Sequence, residues 1–158
     1  MQTSPIPALR STRRFYSRLL TAWSVASIVL GLPAWLLLKE HPFLGPFFVQ
    51  CWIWGAIDIV FALLGLRQAA AADRTPITPD SAAAELADAN KLLGALAFSH
   101  KLNYLWLATA AALYVWSLLT LSPYLAGHAT GVLIQGGYLF VQDRKFDTAV
   151  RRSLASTT

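Results

Sequence analysis

The chain has 158 residues, of which 56% are hydrophobic and only 13% are charged. Soluble domains usually carry about 25% charged residues, so this composition argues against a soluble fold and for one compact domain in lipid. The formal net charge is +5, but the basic residues flank apolar runs, which is typical of membrane proteins, and we expect no nucleic-acid binding. A single cysteine, Cys51, excludes an intramolecular disulfide and disfavours a cysteine-based metal site.

The first half of the chain contains two apolar runs joined by a short turn. The run over 19–38 follows an arginine-rich start and is too long for the hydrophobic region of a signal peptide. We predict that it is a retained transmembrane helix, kinked near Pro33. The turn over 39–46 contains two prolines and a glycine, which makes the flanking spans antiparallel neighbours. The second predicted span, 47–66, carries one formal charge, Asp58, near its middle.

The second half begins with a polar segment over 67–99, predicted to be a cytosolic loop followed by a helix, which either lies on the membrane surface or extends the third span into the cytosol. The loop is expected over 67–80, and Thr78-Pro79-Asp80 is typical of a helix start. The later predicted segments are a third span (100–121), a fourth span (124–142) and a basic cytosolic tail (143–158). Two entrances to the third span fit the pattern. Its hydrocarbon-facing part begins near Leu102, or it begins near Leu92 and takes the intervening polar residues into the membrane.

Basic residues are distributed asymmetrically between the two ends of the predicted spans. Of the 13 lysines and arginines, only Lys39 lies on the side of the two short turns. Cytoplasmic segments of membrane proteins carry the excess of lysine and arginine. The sequence therefore predicts an all-α, four-helix transmembrane bundle with up-down-up-down topology and both termini in the cytoplasm.

Small and polar residues recur three or four positions apart along each predicted span, which places them on one helix face. Lipid offers polar side chains no partners, so these faces are expected to point into the bundle. At about 1.5 Å per residue, Asp58 and Gln135 lie at similar heights above the cytosolic boundary. The predicted intramembrane polar site consists of Ser27, Asp58, His100, Asn103 and Gln135. His100 and Asn103 join it only if the third span begins near Leu92.

Two interpretations of this polar site remain open. Asp58 either fixes the register of the helices through hydrogen bonds, or it binds a cation, a proton or a ligand, since acids within membranes often mark function. A weaker third interpretation is a cofactor-binding subunit using His100 or His128, although these histidines are expected on opposite sides of the membrane. The sequence contains none of the common catalytic or metal-binding motifs, so we expect no enzyme activity, no metal and no cofactor.

Glycines at the predicted inward faces are expected to allow close helix packing. The four candidates are Gly55, Gly127, Gly131 and Gly136. The spacing Gly127-x-x-x-Gly131 matches the small-xxx-small pattern of helix pairs in membranes. The two halves also have similar plans, a polar-entry span, a short turn and a span with a central glycine, which suggests a pseudo-repeat of two hairpins.

Three short motifs resemble a family of small bacterial four-span membrane proteins of unknown function. They are Trp54-Gly55-Ala56-Ile57-Asp58, Asn103 with Trp106, and Gln135-Gly136-Gly137-Tyr138-Leu139-Phe140. The resemblance covers about residues 20–145, and it implies a four-span fold in the bacterial inner (plasma) membrane but no activity. We therefore expect a non-enzymatic structural or accessory subunit that packs with itself or another membrane protein in the lipid bilayer. The alternative is a small transporter or ion-conducting protein centred on Asp58.

Overall fold

The computed structural model describes residues 5–155, and this part of the chain consists of four long α-helices without any strand. The helices are α1 (Ile6–Leu38), α2 (Leu44–Arg74), α3 (Pro79–Thr120) and α4 (Pro123–Ala155). The predicted all-α class with four helices is confirmed. By length and composition, α1, α2 and α3 are long and apolar enough to cross a membrane.

The fourth helix is less apolar than the other three. The sequence predicts a span over 124–142, but α4 falls outside the set of helices whose length and composition suffice for a crossing. The reason lies in its residues, because the uncharged part contains several glycines together with His128 and Gln135. The remainder begins with Asp143-Arg144-Lys145 and stays strongly charged.

Each connection between helices is fixed by local hydrogen bonds. His41 Nδ1 accepts hydrogen bonds from the backbone N–H groups of Phe43 and Leu44, which cap the start of α2. Thr78 and Ser81 form a reciprocal capping box at the start of α3, as expected where free N–H groups need acceptors. α3 ends where Leu121 adopts a left-handed conformation, with φ 51°. The predicted kink at Pro33 does not interrupt α1, which remains helical to Leu38.

All four helices extend further than the predicted spans. The predicted loop over 67–80 is wrong for its first part, because α2 continues through Arg74. Residues 69–72 are all alanine, the strongest helix former, so the apolar run ends at Arg67 but the helix does not. α4 likewise continues beyond the predicted fourth span, through most of the predicted tail, to Ala155.

The helices run antiparallel to their neighbours along the chain, and both α1 and α4 contact all the other helices. α1 packs mainly on α2 and α3 mainly on α4, while α2 and α3 make no close backbone approach. The indole rings of Trp54 and Trp106 bridge that gap, with centroids 4.9 Å apart. The buried residues of α3 recur every seven positions, as in coiled coils. They are Ala89, Leu96, Asn103, Ala110 and Ser117.

Beyond the predicted spans, the helix ends form a small bundle of their own at the charged side. Leu9, Ala89 and Val150 are fully buried there against one another. Arg10 forms an ion pair with Glu85, and Arg14 forms one with Asp73. Hydrogen bonding to Glu85 raises the pKa of the Arg10 guanidinium above its ordinary value. These contacts tie the start of α1 to the end of α2 and the start of α3.

Candidate functional site

Asp58 lies on the inner face of α2, and its side chain is only 5% exposed. Gly55 precedes it by one turn, on a face where α2 approaches α1. Within the described part of the chain, Asp58 Oδ2 is buried and accepts no hydrogen bond. A buried acceptor without a donor costs about 1–3 kcal/mol, and more when it carries a charge. Among the described residues, Asp58 is therefore one of several buried polar groups that lack a hydrogen-bond partner, and it is the one carboxylate among them.

A second carboxylate, Asp143 of α4, lies close enough to Asp58 for their charges to interact. Asp143 Oδ2 accepts hydrogen bonds from Ser99 Oγ at 2.5 Å and from Asn103 Nδ2 at 2.9 Å. Ser99 and Asn103 are one turn apart on α3, so a single face supplies both donors. The two acids thus differ, since Asp143 is held by two donors and Asp58 has a free oxygen.

Asp143 was missed by the sequence analysis, which placed it at the first position of the cytosolic tail. Asp143 and Gln135 lie at different angles around the axis of α4, so Asp143 is not on the helix face that contains Gln135. Eight residues at about 100° each bring Asp143 roughly 80° away from Gln135 around the helix. Gln135 consequently faces α1, while Asp143 faces α3.

Gln135 joins α4 to α1 through both ends of its amide. Trp23 Nε1 donates to Gln135 Oε1 at 2.8 Å, and Gln135 Nε2 donates to Ser27 Oγ at 3.3 Å. The Trp23 indole also stacks on Tyr138, with ring centroids 3.9 Å apart and planes 10° apart. Gln135 is 2% exposed, so these hydrogen bonds replace water in a closed contact. Trp23, one turn before Ser27, is a member of this cluster that the sequence analysis did not identify.

The five predicted site residues therefore fall into separate groups. Ser27 and Gln135 hydrogen-bond each other, and Asn103 belongs with Asp143 rather than with Gln135. Asp58 makes no hydrogen bond to any of them within residues 5–155. His100 is half-buried, and its Nε2 has no hydrogen-bond partner among the described residues.

Three of the four predicted packing glycines lie where helices approach closely. A Cβ at Gly127 would lie 2.2 Å from the Phe43 carbonyl oxygen, and one at Gly131 would lie 2.5 Å from Gln50 Cβ. A Cβ at Gly55 would lie 2.8 Å from Ser27 Cβ. At Gly136 the nearest atom, Trp106 Cβ, is 3.4 Å away, an ordinary contact distance. Further close approaches occur at Gly31, Gly45 and Gly65, which are not among these four candidates.

His128 lies at the other end of the bundle from the acids, near the start of α4. Its Nδ1 is 2.8 Å from Gln50 Nε2, and Gln50 Oε1 accepts a hydrogen bond from Trp54 Nε1 at 3.1 Å. The ring also contacts Tyr124 edge-on. No group of three or more His, Cys, Asp or Glu side chains within residues 5–155 is arranged to hold a metal ion.

A family model matches residues 19–144, from the start of the first apolar run to just past Asp143; its description is "Family of unknown function (DUF6992)". The chain belongs to the DUF6992 family. The predicted resemblance to a family of unknown function is confirmed, and the match includes both acids and the Trp23–Gln135–Ser27 contact. No curated protein and no solved structure matches the chain.

The DUF6992 region of this chain thus contains two chemically distinct polar groups. The contact between Trp23, Gln135 and Ser27 is complete and suits a structural role. The pair Asp58 and Asp143 has one free carboxylate oxygen in a buried place. Such an oxygen is suited to accept a proton or contact a cation.

Proposed function

We propose that this protein is a multi-pass integral membrane protein of the bacterial inner membrane, with four spans and both termini cytoplasmic. This proposal is supported by a distribution of side chains that is the reverse of the distribution in a soluble protein. Large apolar residues face outward, among them Leu37 at 84% and Leu119 at 80% exposure, while buried positions are mostly small or polar. Lipid is the solvent in which such an outer surface is stable. The excess of basic residues on the side of both termini supports the orientation.

We propose further that it acts without catalysis, as a structural or accessory subunit that packs with itself or with another membrane protein. The observation that carries this proposal is the closed interior around Gln135, where direct hydrogen bonds and close glycine contacts join α4 to α1 and α2. The two cavities considered below open on the outer side of α1 instead. A tightly packed interior leaves the outer surface as the place where the protein meets its partners.

This proposal is tested by measuring the mass of the protein extracted from its native membrane in mild detergent. Light scattering, combined with cross-linking before extraction, distinguishes a homo-oligomer, a stoichiometric complex with a second membrane protein and a monomer. The proposal expects one of the first two. A monomer that remains uncross-linked in intact membranes would contradict it.

The free Asp58 oxygen favours a second candidate, a small transporter of protons or cations. The negative charge of Asp143 acts on Asp58, and a second acid nearby favours uptake of a proton or a cation. In liposomes loaded with a pH-sensitive dye, this candidate predicts a proton or cation flux that Asp58→Asn abolishes. Asp88→Asn is the matched control, because that acid is exposed and its one ion pair within residues 5–155 is with Lys91. Equal fluxes in the two variants and in empty liposomes would remove the candidate.

A further inference from the structure

Two cavities meet on the outer side of α1, at the level where the apolar run begins. The first, of about 500 Å³, is lined by three arginines of α1, Arg10, Arg14 and Arg18, and by Asp73. The second, of about 650 Å³, is an apolar groove along α1 that also begins at Arg18. The apolar lining of this groove consists of Ala22, Val25, Ala26, Val29, Leu30 and Leu66.

The charge of the first cavity is only partly neutralised. Arg10 pairs with Glu85, and Arg14 pairs with Asp73. Arg18 is exposed and forms no ion pair with any carboxylate in the described part of the chain. The junction of the two cavities therefore carries an uncompensated positive charge, which attracts an anion.

The groove has the dimensions of one lipid leaflet. From Arg18 to Leu30 the helix rises about 18 Å, and half of a bilayer's hydrocarbon core is about 15 Å. Small side chains at Ala22 and Ala26 leave the groove open, while Val29 and Leu30 at its far end are 60% and 69% exposed. A partner helix would cross both leaflets, whereas this groove ends near mid-membrane.

We propose that this composite surface binds one anionic phospholipid of the cytoplasmic leaflet. Its phosphate lies against Arg18 beside the ion pairs of Arg10 and Arg14, and one acyl chain lies in the groove from Ala22 to Leu30. The inference rests on the membrane insertion proposed above and is independent of the role of Asp58. Both recognition elements, an exposed guanidinium and an apolar channel, match the two ends of one lipid molecule.

The test is native mass spectrometry of the detergent-solubilised protein with added phosphatidylglycerol or phosphatidylcholine. One phosphatidylglycerol should be retained in preference to phosphatidylcholine. Arg18→Gln should weaken that retention about fivefold, the effect of one basic residue at an anionic lipid surface, and Arg18→Lys should largely preserve it. Ala26→Leu, which fills the groove, should also weaken it.

Two matched controls separate a specific site from general attraction. Arg67→Gln removes an exposed arginine that lines neither cavity, at the end of the apolar run of α2, and Ala111→Leu enlarges an exposed alanine of α3. Both should retain phosphatidylglycerol as the unaltered protein does. Equal losses in Arg18→Gln and Arg67→Gln, or no loss in Ala26→Leu, would overturn the proposal.

Other occupants would give different results. If Ala26→Leu changes the oligomeric mass while lipid retention stays constant, the groove holds a second copy of the chain and the lipid proposal is wrong. Failure of membrane insertion is recognised separately, because the protein would then be released from membranes by alkaline carbonate before any lipid is added. An inserted protein without lipid preference contradicts the lipid site alone.

Discussion

Replacing Gly127 by alanine places a methyl group where α4 meets the start of α2. The added Cβ would lie 2.2 Å from the Phe43 carbonyl oxygen and 2.8 Å from Pro46 Cγ, whereas ordinary contacts begin at 3.4 Å. The helices must therefore separate by about 1 Å locally, and overpacking of this kind costs about 1–3 kcal/mol. Gly137→Ala is the matched control, because nothing lies within 4 Å of its added Cβ on the same helix.

Comparing Gly127→Ala with Gly137→Ala separates the cost of overpacking from the effect of helix propensity, since both substitutions gain the same helix propensity of about 0.5–1 kcal/mol. We expect Gly127→Ala to be less stable than Gly137→Ala by about 1–3 kcal/mol. The free energy of unfolding is measured in mixed micelles by titration with a denaturing detergent, followed by circular dichroism and tryptophan fluorescence. Equal stability of the two variants would refute the close approach of α4 to α2.

Three further substitutions test other contacts, with the same unfolding measurement. Gln135→Leu leaves the Trp23 indole N–H without an acceptor and should destabilise the fold by about 0.6–2 kcal/mol; unchanged stability and fluorescence would contradict the contact. Arg10→Glu should destabilise the charged end of the bundle by juxtaposing two acids, and adding Glu85→Arg should restore most of the loss; a double variant no better than the single one would show that the pair does not couple. Leu121→Gly should stabilise the turn by up to about 1 kcal/mol, because glycine adopts φ 51° without strain, and a loss of stability would argue that the Leu121 side chain has a role of its own.

The sequence was sufficient to predict the four helices because each contains a long run with at most a few charged residues, although the run in α4 is less apolar than the others. It did not predict the helix ends, because an apolar run ends at the first charged residue, whereas a helix continues as long as the residues that follow favour helical structure. Residues 67–74 show the difference: Arg67 closes the apolar run, but the alanines that follow keep the helix regular to Arg74. The start of α3 was predictable, since Thr78 and Pro79 have a local chemical reason to begin a helix.

The polar site was predictable residue by residue but not as a set of partners. An acid, a glutamine and an asparagine at inner positions must avoid lipid, so Asp58, Gln135 and Asn103 were expected to be buried, and they are. Which hydrogen-bond partner each side chain finds depends on the rotation of each helix about its axis, and that rotation cannot be determined from a single sequence. Asp143 adjoins the predicted span and turns towards α3, where it accepts hydrogen bonds from Ser99 and from Asn103, a member of the predicted site.

The inward orientation of Trp23 was the feature of the site that the sequence predicted least well. Trp23 lies near the start of the first apolar run, where aromatic residues commonly mark the membrane interface. In the structure its ring turns inward, stacks on Tyr138 and donates to Gln135. Only the three-dimensional arrangement shows that an acceptor lies within reach of this indole.

The most direct test of the central claim is the side of the membrane on which each connection lies. After Cys51, the only cysteine, is replaced by alanine, single cysteines are introduced as Glu40→Cys, Ile77→Cys, Ser122→Cys and Arg152→Cys. A membrane-impermeant maleimide applied to intact bacterial spheroplasts should label positions 40 and 122, and should label 77 and 152 only after lysis. Labelling of 152 from outside would show that α4 does not cross, and labelling of 77 from outside would contradict the proposed orientation. Protection of all four positions in intact spheroplasts would contradict membrane insertion itself.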